Sequence, residues 1–212
     1  MRGRLFLVLI SFSLLGVLVV ALFLVRLLPK SAFEPQKLET VPKTLDAPPI
    51  TFLDPSRGDM NAKYTLVEYG DYSCVLCRQI EPDIQAWVTE APNNRRTVWK
   101  DAPDAITHPE SIAAAMAARC AQDQGKFWEY HDRLMSGGTA LTADNLKSLA
   151  ESLNLNMESF DKCVSSEVTR PIIEHGLEEA VALKISGTPT LYLNGALYTG
   201  PLSLEAFRKS TK

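Results

Sequence analysis

The first contrast along the chain is between an unbroken apolar run and a patterned remainder. Residues 5–25 carry no charge and are interrupted only by Ser11, Ser13 and Gly16. As a helix this run is about 31 Å long, which matches a hydrocarbon layer of roughly 30 Å. It is apolar all round, unlike a core helix with one wet face. It passes into Arg26-Leu-Leu-Pro-Lys30 without a small-x-small cleavage site. The pattern therefore predicts a retained transmembrane anchor over 5–28 behind a tail at 1–4, with a removed signal peptide as the competing reading. Residues 29–49 hold Pro29, Pro35, Pro42, Pro48 and Pro49, the composition of an extended, semi-rigid linker.

From residue 50 the periods become those of a folded domain. Residues 50–53 suit a short first strand, and 54–63 form a turn-rich loop. Residues 65–69 are the first clear strand, with Leu66 and Val67 as core candidates. A helix over 75–89 carries Ile80, Ile84, Trp87 and Val88 at helical spacing, and Pro82 should kink it. Residues 96–100 form the next strand, so the strand–helix–strand order implies a parallel pair. Helical periods then fill 109–123, 126–135, 142–153, 157–165 and 169–184. Thr142 is a candidate cap, and Gly125 and Gly137-Gly138 serve as breaks. Strand character returns at 190–193 and 196–199 around Asn194-Gly195, a strong hairpin signal. Ser203 caps a final helix over 204–209. This is an α/β domain over 50–212 with a helical insertion at about 105–185 between two halves of one sheet.

Charge changes the picture little, and cysteine usage changes it more. Residues 1–30 hold four basic residues and no acid, leaving 18 basic against 25 acidic residues, or −7, in the remainder. A mildly acidic domain lacks the basic footprint of nucleic-acid binding. The short basic tail before the apolar run and the large folded remainder after it place the N-terminus in the cytoplasm and the domain outside, as a single-pass protein of the cell membrane. All four cysteines follow the anchor, and disulfides persist outside the cytosol.

The candidate chemistry is Cys74-Val-Leu-Cys77, placed between a strand and a helix start. Positions i and i+3 share a helix face at a separation that a disulfide tolerates. Cys74 meets the free N–H groups and positive dipole end of the helix, which favour thiolate, so it is the nucleophile. Cys77, one turn in, is the resolving thiol. A plain structural disulfide and half of a zinc site are the blander readings. The second lacks another Cys-x-x-Cys or His pair to complete four ligands, so no metal is expected. Phe127, Trp128 and Tyr130 read as packing residues, His108, His131 and His175 as surface or cap histidines, and Arg95-Arg96 as a solvated pair.

Three stretches in order carry a family resemblance: Val67-Glu-Tyr-Gly-Asp-Tyr-Ser-Cys-Val-Leu-Cys77, Cys120-Ala-Gln-Asp-Gln-Gly-Lys-Phe-Trp128 with Tyr130-His131, and Gly187-Thr-Pro-Thr-Leu-Tyr-Leu-Asn-Gly195. Residues 64–209 resemble the DsbA-like thiol–disulfide oxidoreductases of the thioredoxin superfamily. The resemblance implies a thioredoxin-like fold with a helical insertion, no cofactor beyond a redox-active disulfide, and Pro189 as a cis-proline against the cysteines. It implies that the backbone of Thr188 pairs with substrate, and that Glu68 is a buried acid that takes the proton of Cys77, where an outward, solvated Glu68 is the alternative. Val75 and Leu76 replace the family's His-, Tyr- or Gly-Pro-containing pairs, which implies an apolar contact surface and a less oxidising couple. Cys120 and Cys163, in two insertion helices, are expected to form a structural disulfide, with a second redox pair as the competing reading. The implied partners are cysteine-containing exported proteins and a membrane redox partner, either a DsbB- or VKOR-like quinone-linked oxidase or a thiol donor. An oxidase, a reductase or isomerase, and a non-catalytic chaperone-like binding module all remain open at this point.

Overall fold

The computed structural model describes residue 38, residues 40–137 and residues 140–212. The expected anchor at 5–28 and the expected tail before it lie outside these. Among the described residues no helix is long and apolar enough to cross a membrane.

The sheet is built from β1 (Ser56–Gly58), β2 (Tyr64–Gly70), β3 (Arg95–Asp101), β4 (Thr190–Leu193) and β5 (Ala196–Leu197), in the order β1-β3-β2-β4-β5. β2 and β3 are parallel, with Glu68 opposite Trp99, and are joined through helix α1 (Val75–Glu90). β1 runs antiparallel to β3, β4 to β2, and β5 to β4. Between β3 and β4 lie α2 (Glu110–Gln122), α3 (Phe127–Met135), α4 (Ala143–Ser152), α5 (Met157–Ser165) and α6 (Arg170–Ala182), and α7 (Leu204–Lys209) closes the chain.

β2 is covered on both faces, so residues 66–70 are all buried. Leu66 packs with Ile80, Ile84, Trp87 and Val88 of α1 and Phe207 of α7. Val67 and Tyr69 point the other way, toward Ala180 of α6. The insertion has its own core, which includes Phe127, Tyr130, Leu134, Leu146 and Phe160 and extends to Tyr72, Cys77 and Trp99. The resolving cysteine is thus packed from behind by the insertion. At the end of β2 a Cβ on Gly70 would lie 2.2 Å from the Trp99 ring, so this close approach requires glycine.

Several expectations are corrected. The first strand is Ser56–Gly58, inside the stretch read as a loop. At residues 50–53 the carboxylate of Asp54 accepts hydrogen bonds from the Thr51 amide (2.7 Å) and hydroxyl (3.1 Å). Such local side-chain bonding competes with strand pairing. The last strand is two residues long. Arg95 and Arg96 are not solvated: Arg96 is buried, and Arg95 lies over Trp87 while its Nη1 donates to the Trp87 carbonyl at 2.9 Å. The compact unit is Thr40–Lys212, because residues 40–49 pack on it through Pro48 and through the Leu45 amide, which donates to Ala182 O at 3.1 Å.

Candidate active site

The site sits at the C-terminal end of β2. Gly70 ends the strand, and Asp71 organises the turn that follows. Its carboxylate accepts the Ser73 amide at 2.7 Å and the Asp104 amide at 2.8 Å, while its carbonyl accepts the Cys74 amide at 3.0 Å. One buried side chain therefore ties the cysteine loop to the loop after β3. Arg78 reaches back from α1 to donate to the Tyr72 carbonyl at 2.7 Å.

Cys74 is the N-cap of α1, and its Sγ accepts the Cys77 amide at 3.1 Å. Both cysteines are free thiols, Cys74 half-buried and Cys77 fully buried. The Cys77 thiol, donating to Cys74, lowers the Cys74 pKa to about 6 against the opposing effect of burial, and the Cys77 and Leu76 amides add to the effect. Cys77 moves the opposite way: Cys74, burial and the charge of Glu68 raise its pKa. This is the asymmetry that separates an attacking thiolate from a resolving thiol.

The Thr188–Pro189 bond is cis, and Thr188 O lies 3.4 Å from Cys74 Sγ. Val75 and Leu76 flank Cys74 in solvent, at 61% and 44% exposure. Glu68 is 2% exposed, which excludes the solvated alternative. Burial first, then the charges of Glu81 and Cys74, hold its carboxyl well above the usual range. Cys74, Val75, Leu76, Cys77, Thr188 and Pro189 thus meet at one place, with Glu68 behind them. Cys120 and Cys163 form a disulfide between α2 and α5 with Cα atoms 5.8 Å apart.

The histidine reading fails at His131, which is fully buried among Tyr72, Trp99, Phe127 and Trp128. His175 is also largely covered, with Nδ1 3.3 Å from Glu179. His108 is exposed as expected. Sequence reasoning also passed over Glu81, which is buried one turn beyond Cys77. The available signal was its i+4 spacing from Cys77, on the face that carries Ile80 and Ile84. Asp132, the third group near Glu81 and His131, is held bidentately by Arg57 at 2.7 and 2.8 Å. That carboxylate is already neutralised, so the trio is a poor metal site.

Residues 53–212 match the family model described as Thioredoxin. A solved thioredoxin-like oxidoreductase from Silicibacter pomeroyi DSS-3 is 26% identical, with a TM-score of 0.68 over 76% of this chain and 91% of that one. BdbD from Bacillus subtilis is 22% identical, with a TM-score of 0.67 over 75% and 91%. The thiol-disulfide exchange protein alpha-DsbA2 from Wolbachia pipientis is 22% identical, with a TM-score of 0.67 over 76% and 86%. Among curated relatives, Na(+)/H(+) antiporter NhaA 1 of Salinispora arenicola is 37% identical over 153 residues, 72% of this chain and 23% of the antiporter. The chain therefore spans about a quarter of the length of the curated relatives it matches. Fold, cysteine geometry and family match agree: the chain belongs to the thioredoxin family and has the DsbA-like fold.

Proposed function

We propose that this protein is a membrane-anchored thiol–disulfide oxidoreductase that forms or exchanges disulfides in exported proteins on the extracytoplasmic side. The observation that carries the chemistry is the half-exposed Cys74 Sγ at the start of α1. It receives the Cys77 amide and lies against Thr188, with the Cys77 thiol behind it. The apolar run at 5–25 and the placement of all four cysteines after it support the location.

In the oxidising direction a substrate thiolate attacks Cys74 Sγ. A substrate–Cys74 disulfide forms, and the Cys74–Cys77 bond breaks with its electron pair on Cys77 Sγ, which takes up a proton. A second substrate thiolate then attacks the substrate sulfur, and Cys74 leaves as a thiolate. A leaving thiol of low proton affinity departs faster, and about 6 for Cys74 suits that role. It falls between the values of about 7 for thioredoxin and about 3.5 for DsbA. Glu68, buried beside the pair, takes and returns the Cys77 proton. Val75, Leu76 and the Thr188 backbone meet the substrate chain. Recharging falls to a membrane redox partner, a quinone-linked oxidase for net oxidation or a thiol donor for reduction.

Labelling with a membrane-impermeant maleimide tests the location and direction together. In spheroplasts, Cys74 should label only after mild reduction. Labelling that requires lysis contradicts the extracytoplasmic placement, and labelling without reduction marks a reductase.

A further inference from the structure

Ile106 is 96% exposed. A lone exposed isoleucine is ordinary on a protein surface, but this one is held in place by two independent sets of bonds. Within its own turn, the Asp104 carboxylate accepts the Ile106 amide at 3.2 Å and the Thr107 amide at 3.1 Å. The Asp104 carbonyl accepts the His108 amide at 2.8 Å, and the His108 carbonyl accepts the Ser111 amide at 3.0 Å. Residues 104–111 thereby form a closed arch. Both of its feet stand on the cysteine loop. The Asp104 amide donates to the Asp71 carboxylate at 2.8 Å, and the Ser111 hydroxyl donates to Ser73 Oγ at 2.7 Å. Asp71 and Ser73 lie three and one positions before Cys74. The arch therefore presents an apolar side chain beside the nucleophile, with little backbone freedom left to lose when a partner covers it.

Sheet topology sets where the arch lies in the site. β3 and β4 flank β2 on opposite sides. β3 runs parallel to β2 and β4 antiparallel to it, so β3 ends and β4 begins at the edge where β2 gives way to the cysteine loop. Cys74 thus stands between the proline loop on one side and the arch on the other. Neighbouring strands are about 4.8 Å apart, and an extended chain advances about 3.3 Å per residue. A partner chain that lies along the Thr188 backbone and offers its sulfur to Cys74 therefore reaches the arch about two or three residues from its cysteine. Val75 and Leu76 add exposed apolar surface at the start of α1. The receptive groups come from separate loops in a row across the end of the sheet rather than from one helix face, and that shape suits an extended chain.

We propose that Ile106 is a specificity-determining residue that receives an apolar side chain about two or three residues from the reactive cysteine of an extended partner chain. The proposal rests on the exchange reading above and names the sequence context that the site prefers. The Ile106 side chain supplies the contact and takes no part in bond breaking.

Mixed-disulfide formation between the oxidised full chain, in detergent, and short synthetic peptides tests this, read by acid quenching and mass. Each peptide carries one cysteine and one leucine in a serine–glycine background, with the leucine moved stepwise from before the cysteine to after it. Reduced glutathione, which has no apolar side chain, is the reference thiol. Relative to glutathione, the wild-type chain should react about tenfold faster when the leucine stands two or three residues to one side of the cysteine than when it is absent, the effect expected of one apolar contact. Ile106→Ser should remove that positional preference and Ile106→Leu should keep it. A role in holding the arch would not move this readout, because the arch is bonded through the Ile106 amide. A flat wild-type profile overturns the proposal and points to the membrane redox partner as the occupant; it does not depend on any variant folding. A preference that survives in Ile106→Ser overturns it as well. A full chain that self-associates, and comes apart on Ile106→Ser, assigns the side chain to a second copy and overturns it equally. A wild-type chain that forms no adduct with glutathione or any peptide overturns the exchange reading instead, and the proposal with it.

Discussion

Thr188 O stands 3.4 Å from Cys74 Sγ, across 114 positions of sequence. The contact joins the two halves of the sheet beside the cysteine pair. The cysteine loop and the proline loop are adjacent because β2 pairs antiparallel with β4, Tyr69 opposite Thr190.

The Cys74 thiolate should show directly in its reactivity. Iodoacetamide alkylation of the reduced protein should be half-maximal near pH 6, where the hydrogen bond from the Cys77 thiol places the Cys74 pKa. It should fall away at lower pH as the thiol form returns. Cys77→Ala removes that donor, so the midpoint should rise toward the free-cysteine value of about 8.5. An unchanged midpoint in the variant would assign the effect to the helix amides alone.

Glu68→Gln should slow resolution by Cys77 and stabilise the fold at neutral pH. The sign follows from the raised carboxyl pKa of Glu68. The native state holds this proton more tightly than the unfolded chain does, so stability declines as pH rises from the unfolded value toward the folded one. Gln removes that decline. The gain should be on the order of 1–3 kcal/mol, the cost of a buried polar group without a partner. Urea midpoints at pH 4 and pH 8 would measure it, with the gain confined to the higher pH.

Much of this architecture could be read from the chain, and the exceptions share a cause. Thr142 and Ser203 cap their helices as expected, the Asn-Gly hairpin forms, and the helix over 157–165 has the expected bounds, because these features are set by neighbouring residues. His131 was missed because its helix carries Glu129, Asp132 and Arg133 and looks solvated. Its burial comes from Trp99 and Tyr72, 32 and 59 positions away, which no local pattern reveals. Arg95 was misread because its guanidinium lies over Trp87 on another element, and Arg96 because its burial is set by elements outside its own strand. β1 was misplaced because its pairing with Val98 is supplied from outside its own stretch.

On the face of the sheet away from the cysteines, Lys100 Nζ lies 2.9 Å from both Asp54 and Glu179, with all three side chains buried. The Tyr69 hydroxyl adds a bond to Glu179 at 3.2 Å. Lys100→Met leaves two buried carboxylates without their cation. It should lower stability by about 3–5 kcal/mol in urea unfolding, and loosen α6 before the rest of the sheet in hydrogen exchange.

The Cys120–Cys163 disulfide closes a loop with a sequence separation of 43. Replacing both cysteines with serine should remove up to about 4 kcal/mol of stability on the chain-entropy account. Exchange through Cys74 should continue at temperatures where the variant stays folded. Calorimetry and the rate of exchange with glutathione would report the two effects separately.

The central claim is that Cys74 and Cys77 form a reversible redox couple, and equilibration in glutathione buffers of stepped potential tests it most directly. The fraction of the pair oxidised, read by alkylation and mass, should follow one two-electron transition. The midpoint should fall between about −270 mV and about −120 mV, the values of thioredoxin and DsbA. A midpoint below about −300 mV, where structural disulfides lie, or a pair that stays reduced in every buffer, would contradict the account.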